Sequence, residues 1–180
     1  MPRGLRALII FAAGLFIAGT CLSHAESGEA IDYTDPAPVE AYIEWFHRNV
    51  RPGLTERAIV VLPIVMEYSA KYNLDPLLVA CIISWESSWR PREGALKEVG
   101  YMQVMPGKWS KRFDLTTPRG QIEAGVYRLK MASDRCGSLN SALTHYASGS
   151  CRSKSEITKK KIRYRANYYA RMNWMFRVEQ

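Results

Sequence analysis

The chain has 180 residues, 47% of them hydrophobic, with 25 Lys+Arg against 17 Asp+Glu for a formal net charge of +8. That balance excludes collagen-like, low-complexity and wholly disordered chains. The length supports one domain with a sizeable core, and hardly two, so a single active or binding site is expected.

The first 25 residues read as a secretory signal. Arg3 and Arg6 precede an apolar run from Leu8 to Ala18, and Ser23-His24-Ala25 has the small-x-small pattern of a signal-peptidase site. A transmembrane anchor is the other reading, but the run is short for a bilayer and the segment contains Gly14 and Gly19. Cys21 follows Thr20, where a lipid-attachment site wants a small residue such as Gly or Ala. The expectation is an exported protein, periplasmic or associated with the cell wall.

Without Arg3 and Arg6 the chain keeps 23 basic and 17 acidic residues, a net +6. From Arg152 onward nine basic residues stand against Glu156 and Glu179, a net +7, so the rest of the mature chain carries about −1. A basic segment of this kind suits nucleic-acid phosphates, anionic lipid or an acidic wall polymer. An exported protein meets the last two; a solvated helix face is the plainer reading.

Export also favours disulfides. With Cys21 removed, Cys81, Cys136 and Cys151 remain. The last two flank a short polar-edged helix, and a bridge closing a loop of that size contributes on the order of 3 kcal/mol. Cys81, inside LLVACII, reads as a small buried hydrophobe. No metal or other cofactor is expected, because His47 and His145 are far apart and no Cys or His pair has ligand spacing.

Residues 26–34 are polar and unpatterned, and Asp35-Pro36 then signals a short helix to about Arg48. Arg51-Pro52-Gly53 breaks it. Thr55 is a cap for the next helix, which should kink or begin afresh at Pro63 and end at Asn73. Asp75-Pro76 opens the most informative helix, LLVACIISWESSW. Pro91, Gly94 and Gly100 then mark a non-helical stretch in which GYMQV forms a short extended segment. Helices come next from 118 to 133 and from Leu139 to about Ala147. Ser153 and Glu156 make a capping-box pattern before a last basic, aromatic helix to about Phe176, with Ile157, Ile162, Tyr169, Met172 and Phe176 on its packed side. The chain is mainly α, with a small irregular or β portion after the central helix. Its segments are an N-terminal part at 26–54, a core at 55–151 and the basic helix at 152–180.

Glu86 is the residue that needs a reason. In a helix it lies three residues after Ile83, four after Ile82 and seven after Val79, continuing an apolar face. Desolvation there, and the partial negative charge of a helix C-terminus, both favour a neutral carboxyl. A proton-bearing carboxyl near neutral pH is what general-acid catalysis needs. A salt-bridged or edge glutamate is the plainer alternative.

The blocks DPLLVACIISWESSWRP, GYMQVMP and LNSALTHYASG, in that order, resemble the soluble lytic transglycosylase and goose-type lysozyme superfamily. The resemblance covers roughly 56 to 150 and implies a lysozyme-like α+β fold acting on peptidoglycan as a monomer. It implies that Glu86 is the single catalytic acid/base and that Ser87 orients substrate or the glutamate. Gly100, Met102 and Gln103 match the segment lining the cleft, and Tyr146 matches the tyrosine of a Tyr-Asn-x-Gly element in which this chain has Ala147. Tyr101 is the aromatic best placed for a sugar, while Trp85 and Trp89 are expected inside. The implied reaction cleaves the β-1,4 bond between N-acetylmuramic acid and N-acetylglucosamine to leave a 1,6-anhydro end. A hydrolytic lysozyme would want a second carboxylate, for which Glu93 and Glu98 are near enough in sequence; Glu98 is also read as a solvated loop residue. A non-catalytic peptidoglycan-binding protein is a further alternative, and a nucleic-acid-binding module is disfavoured by the signal segment. The basic C-terminal helix is expected to serve wall or membrane affinity without joining the bond cleavage.

Overall fold

In a computed structural model, the described residues are Ala41, Glu44, Trp45, Arg48 and 52–178. The signal segment lies outside them, as does most of the first expected helix, although its Trp45 is helical and fully buried. Five helices make up the rest: α1 (Pro52–Tyr72), α2 (Pro76–Glu86), α3 (Pro118–Cys136), α4 (Leu139–Ser148) and α5 (Glu156–Val178), with a 3-10 turn at Lys108–Arg112. The protein is predominantly helical. Among the described residues no helix is long and apolar enough to cross a membrane.

Helix α1 starts at Pro52, so Thr55 lies inside it and does not cap it, and the helix runs through Pro63 without beginning afresh. It ends where Asn73 takes a left-handed conformation, φ 50°. Helix α2 begins as its sequence requires, with Asp75 accepting the Leu77 N–H at 2.8 Å and Pro76 in the first turn. Every residue from Pro76 to Ile83 is buried, so α2 has no solvent face rather than the single apolar stripe expected of it. Each large apolar side chain sequestered this way contributes about 1.5–3 kcal/mol.

The other helices enclose α2. Close contacts run in a cycle, α1 on α2, α2 on α5, α5 on α4, α4 on α3 and α3 back on α1. The core inside holds Leu62, Val65, Ile82, Ile83, Met102, Ile122 and Leu129. Helix α3 is capped by Thr117, and α4 by Ser138 with Gly149 left-handed at its end. At α5 the expected capping box does not form. Ser155 Oγ accepts the Thr158 N–H at 3.3 Å, and Glu156 turns to Lys159. Ile157, expected against the domain, is 83% exposed, while Ile162, Arg165, Ala166 and Met172 face inward. The side chain of Phe176 lies outside the described residues.

Cys136 and Cys151 are bonded, with their Cα atoms 5.5 Å apart, and tie the end of α3 to the segment leading into α5. Cys81 is free and buried, and burial pushes its thiol far above the ordinary range. Two measurements check this cysteine arrangement. Denatured without reduction, the protein lacking its first 25 residues should expose one alkylatable thiol, and a Cys136→Ser/Cys151→Ser variant should lose about 3 kcal/mol in urea unfolding; three reactive thiols would remove the bridge.

Candidate active site

Glu86 is the last residue of α2, the point at which the enclosed helix reaches solvent, and its side chain is 19% exposed. The chain then turns sharply. Ser87 Oγ donates to the Ile83 carbonyl at 3.1 Å, and Ser88 and Trp89 both take left-handed conformations, φ 52° and 60°. Such residues cost on the order of 1–3 kcal/mol each unless their surroundings hold them. Trp89 supplies part of the hold: it is 1% exposed, and its Nε1–H donates to Ser84 Oγ at 2.7 Å. Arg92 Nη2 donates to the Glu86 carbonyl at 2.8 Å, satisfying one of the carbonyls left open at a helix end.

The segment after the turn is a folded-back loop. Val99 and Val104 exchange both backbone hydrogen bonds, 2.9 and 3.0 Å, so 100–103 form a turn between them and not the extended segment expected. Gly100 is required there: its φ is +83°, and a β-carbon would lie 2.4 Å from Gln121 Oε1. Gln103, φ 48°, donates its side-chain N–H to the carbonyls of Gly100 and Arg92 at 2.8 and 3.0 Å. Met102 is fully buried and packs on Gly125 of α3, where a β-carbon would come within 2.4 Å of its sulfur. Its carbonyl accepts the Tyr146 hydroxyl of α4 at 2.6 Å. Burial first, and the neighbouring Glu86 charge second, hold that phenol far above its usual range, so it remains a donor.

These elements surround a cleft of about 530 Å³. Trp85 and Glu86 come from α2, and Leu96, Glu98, Gln103 and Met105 from the loop. Arg128 comes from α3, Tyr146 to Ser148 from α4, and Lys161 and Arg165 from α5. Of the residues anticipated from sequence, Glu86, Gln103, Tyr146 and Glu98 therefore share the cleft. Ser87, Gly100, Tyr101 and Met102 sit behind its wall and shape it. Tyr101 is buried, which raises its phenol, while Trp85, expected inside, lines the cleft. Glu98 is half-buried and accepts the Leu96 N–H at 2.9 Å.

Sequence reasoning missed Arg165. Its Nη1 lies 2.6 Å from Glu86 Oε1 and its guanidinium carbon 5.4 Å from the Trp85 ring centre, with only 8% of the side chain exposed. The basic helix thus reaches the glutamate. The signal was available: Arg165 falls three residues after Ile162 and seven before Met172, on the apolar stripe of α5.

Residues 63–169 match the family model of the transglycosylase SLT domain. The chain belongs to that family. The SLT match takes in α2, the loop, α4 and the part of α5 that carries Arg165. A transglycosylase of Enterobacteria phage PRD1 is 40% identical over 85 residues, which cover 45% of this chain and 32% of that protein. The chain thus spans about a third of the length of that relative. No solved structure matches.

The Tyr146 to Met102 bond is what fastens the loop to α4. Tyr146→Phe should lower stability by about 1–3 kcal/mol, the cost of leaving a buried carbonyl unpaired, measured by urea unfolding; an unchanged midpoint would mean that the loop is held by its packing alone.

Proposed function

We propose that this protein is an exported lytic transglycosylase that cleaves the β-1,4 bond between N-acetylmuramic acid and N-acetylglucosamine in peptidoglycan. The observation that carries the reading is the placement of Glu86: a carboxyl at the open end of an otherwise enclosed helix, facing the cleft of a chain from the SLT family. The Glu86 carboxyl, once protonated, gives its proton to the bridging oxygen as oxocarbenium character develops on the muramic sugar. The resulting carboxylate takes the proton of that sugar's own C6 hydroxyl, which closes onto C1. The product is a 1,6-anhydro ring, and no water is consumed.

Gln103 and Tyr146 line the cleft beside the acid, and Trp85 offers a half-buried ring for a sugar face. Ser87, Gly100, Tyr101 and Met102 support this reading from behind, by fixing the turn after Glu86 and the loop that carries Gln103. Ala147, at the cleft where the family usually has asparagine, contributes no polar group. The hydrolytic alternative draws on Glu98, whose carboxylate shares the cleft but is engaged by the Leu96 N–H.

Glu86→Gln keeps the shape of the side chain and removes its transferable proton, so it should abolish release of muropeptides from purified peptidoglycan; the variant should fold with a lowered urea midpoint, because the buried Arg165 loses its counter-charge, and retained turnover in it would refute the assignment. Mass spectrometry of wild-type products should find anhydro ends. Reducing ends, heavier by one water, would make the protein a hydrolase, and absence of any release would leave a binding protein.

The exposed side of α5 supports a second contact, with an anionic wall polymer or membrane surface. Lys160 and Arg163 stand on it, whereas Lys161 lines the cleft and Lys159 pairs with Glu156. Lys160→Glu/Arg163→Glu should weaken binding to intact sacculi, with a smaller difference at high salt, where the attraction is already screened. Turnover of short soluble glycans should stay near wild type; its collapse in a folded variant would place that side of the helix in the catalytic machinery.

A further inference from the structure

The catalytic reading of Glu86 meets an obstacle in the structure itself. A general acid has to carry a proton, but Glu86 is ion-paired, as a carboxylate, with the Arg165 guanidinium at 2.6 Å. The pair is largely withdrawn from water, with side chains 8% and 19% exposed. Around Glu86 stand Arg92 from the loop, bonded to its main-chain carbonyl, and Tyr146 from α4, whose hydroxyl is committed to Met102. Glu98, Arg128 and Lys161 line the same cleft, from the loop, α3 and α5. Of these groups only Arg165 donates to the Glu86 carboxyl among the described residues, at Oε1. A proton-bearing Glu86 would leave that buried guanidinium without a counter-charge, and a desolvated guanidinium gives up one carboxylate readily only for another anion.

We propose that Arg165 is a specificity-determining residue: a carboxylate borne by the glycan takes its guanidinium from Glu86, and Glu86, deprived of its counter-charge, takes up one proton from solvent and becomes the acid. The proposal rests on the transglycosylase reading and deepens it by naming the substrate feature that the cleft selects. The lactyl ether of muramic acid supplies such a carboxylate beside the scissile bond, and a neutral chitin-type chain does not. Lys161, one helical turn before Arg165 on the same wall and without an ion pair among the described residues, adds to the attraction for an anionic substituent. A neutral glycan leaves the pair closed, because opening it would strand two buried charges.

The test compares a soluble tetrasaccharide of alternating N-acetylglucosamine and N-acetylmuramic acid with the same glycan after reduction of its lactyl carboxylates to alcohols. Wild type should prefer the carboxylate form by about tenfold or more in kcat/KM, and Arg165→Gln should bring the two substrates to within about threefold. Arg165→Lys, which keeps a charge in place, should retain part of the preference. Independently of turnover, a thioglycan with sulfur at the scissile position can be titrated calorimetrically into wild type in two buffers of different ionisation enthalpy. Uptake of about one proton is expected with the carboxylate form, and none with the reduced form.

Equal turnover of the two substrates by wild type, an equal loss on both in Arg165→Gln, or thioglycan binding without proton uptake would overturn the proposal. If wild type cleaves neither glycan, the transglycosylase reading fails; the thioglycan titration then decides the exchange at Arg165 by itself, even if Arg165→Gln does not fold.

Discussion

Helix α2 is apolar on every side, and enclosing it governs the placement of everything else. A helix of this kind cannot lie on a surface, so α1 and α5 pack on it directly, with α3 and α4 completing the cycle of contacts. Enclosure leaves its two ends as the places where polar groups can act. Both ends are met by α5: Tyr169 donates to Asp75 at 2.5 Å at the start of α2, and Arg165 pairs with Glu86 at its finish. The C-terminal helix therefore supplies a polar partner at both ends of α2.

The cleft depends on how the chain leaves α2. Two consecutive left-handed residues, anchored by buried Trp89, turn the backbone away from the helix axis so that the loop does not cover the carboxyl. The loop then folds back through the Val99 and Val104 pairing, and Met102 is clamped between Gly125 and the Tyr146 hydroxyl. Among the described residues, four of the five non-glycine residues with positive φ lie between positions 88 and 103. That concentration fits a segment whose shape is set by the cleft rather than by local preference.

Much of this was legible in the sequence. Asp75-Pro76 marked the start of α2, and Glu86 stood out as a charge on an apolar face. The family blocks led to the SLT membership. Arg165 carried the same signal as Glu86, but it lay among eight other basic residues, and bulk charge concealed the one that is buried among the described residues. GYMQV looked extended because its composition suits a strand; the paired valines that make it a turn act through backbone bonds that composition does not express. Ile157 was misplaced because the buried stripe of α5 begins at Ile162, one turn and more inside the helix.

The cysteines bear on how the molecule matures. The three cysteines among the described residues allow three different bridges, and an odd count invites exchange among them as a chain oxidises. Here the third sulfur is Cys81, sealed in the middle of α2 with its thiol pushed far up, so it presents almost no thiolate and no path for attack. Once α2 is enclosed, Cys136 and Cys151 have no competitor, and a wrong pairing formed earlier can be trapped only if it keeps α2 from folding. Fidelity of oxidation is in this way assigned to the same burial that leaves the glutamate at the open end of the helix.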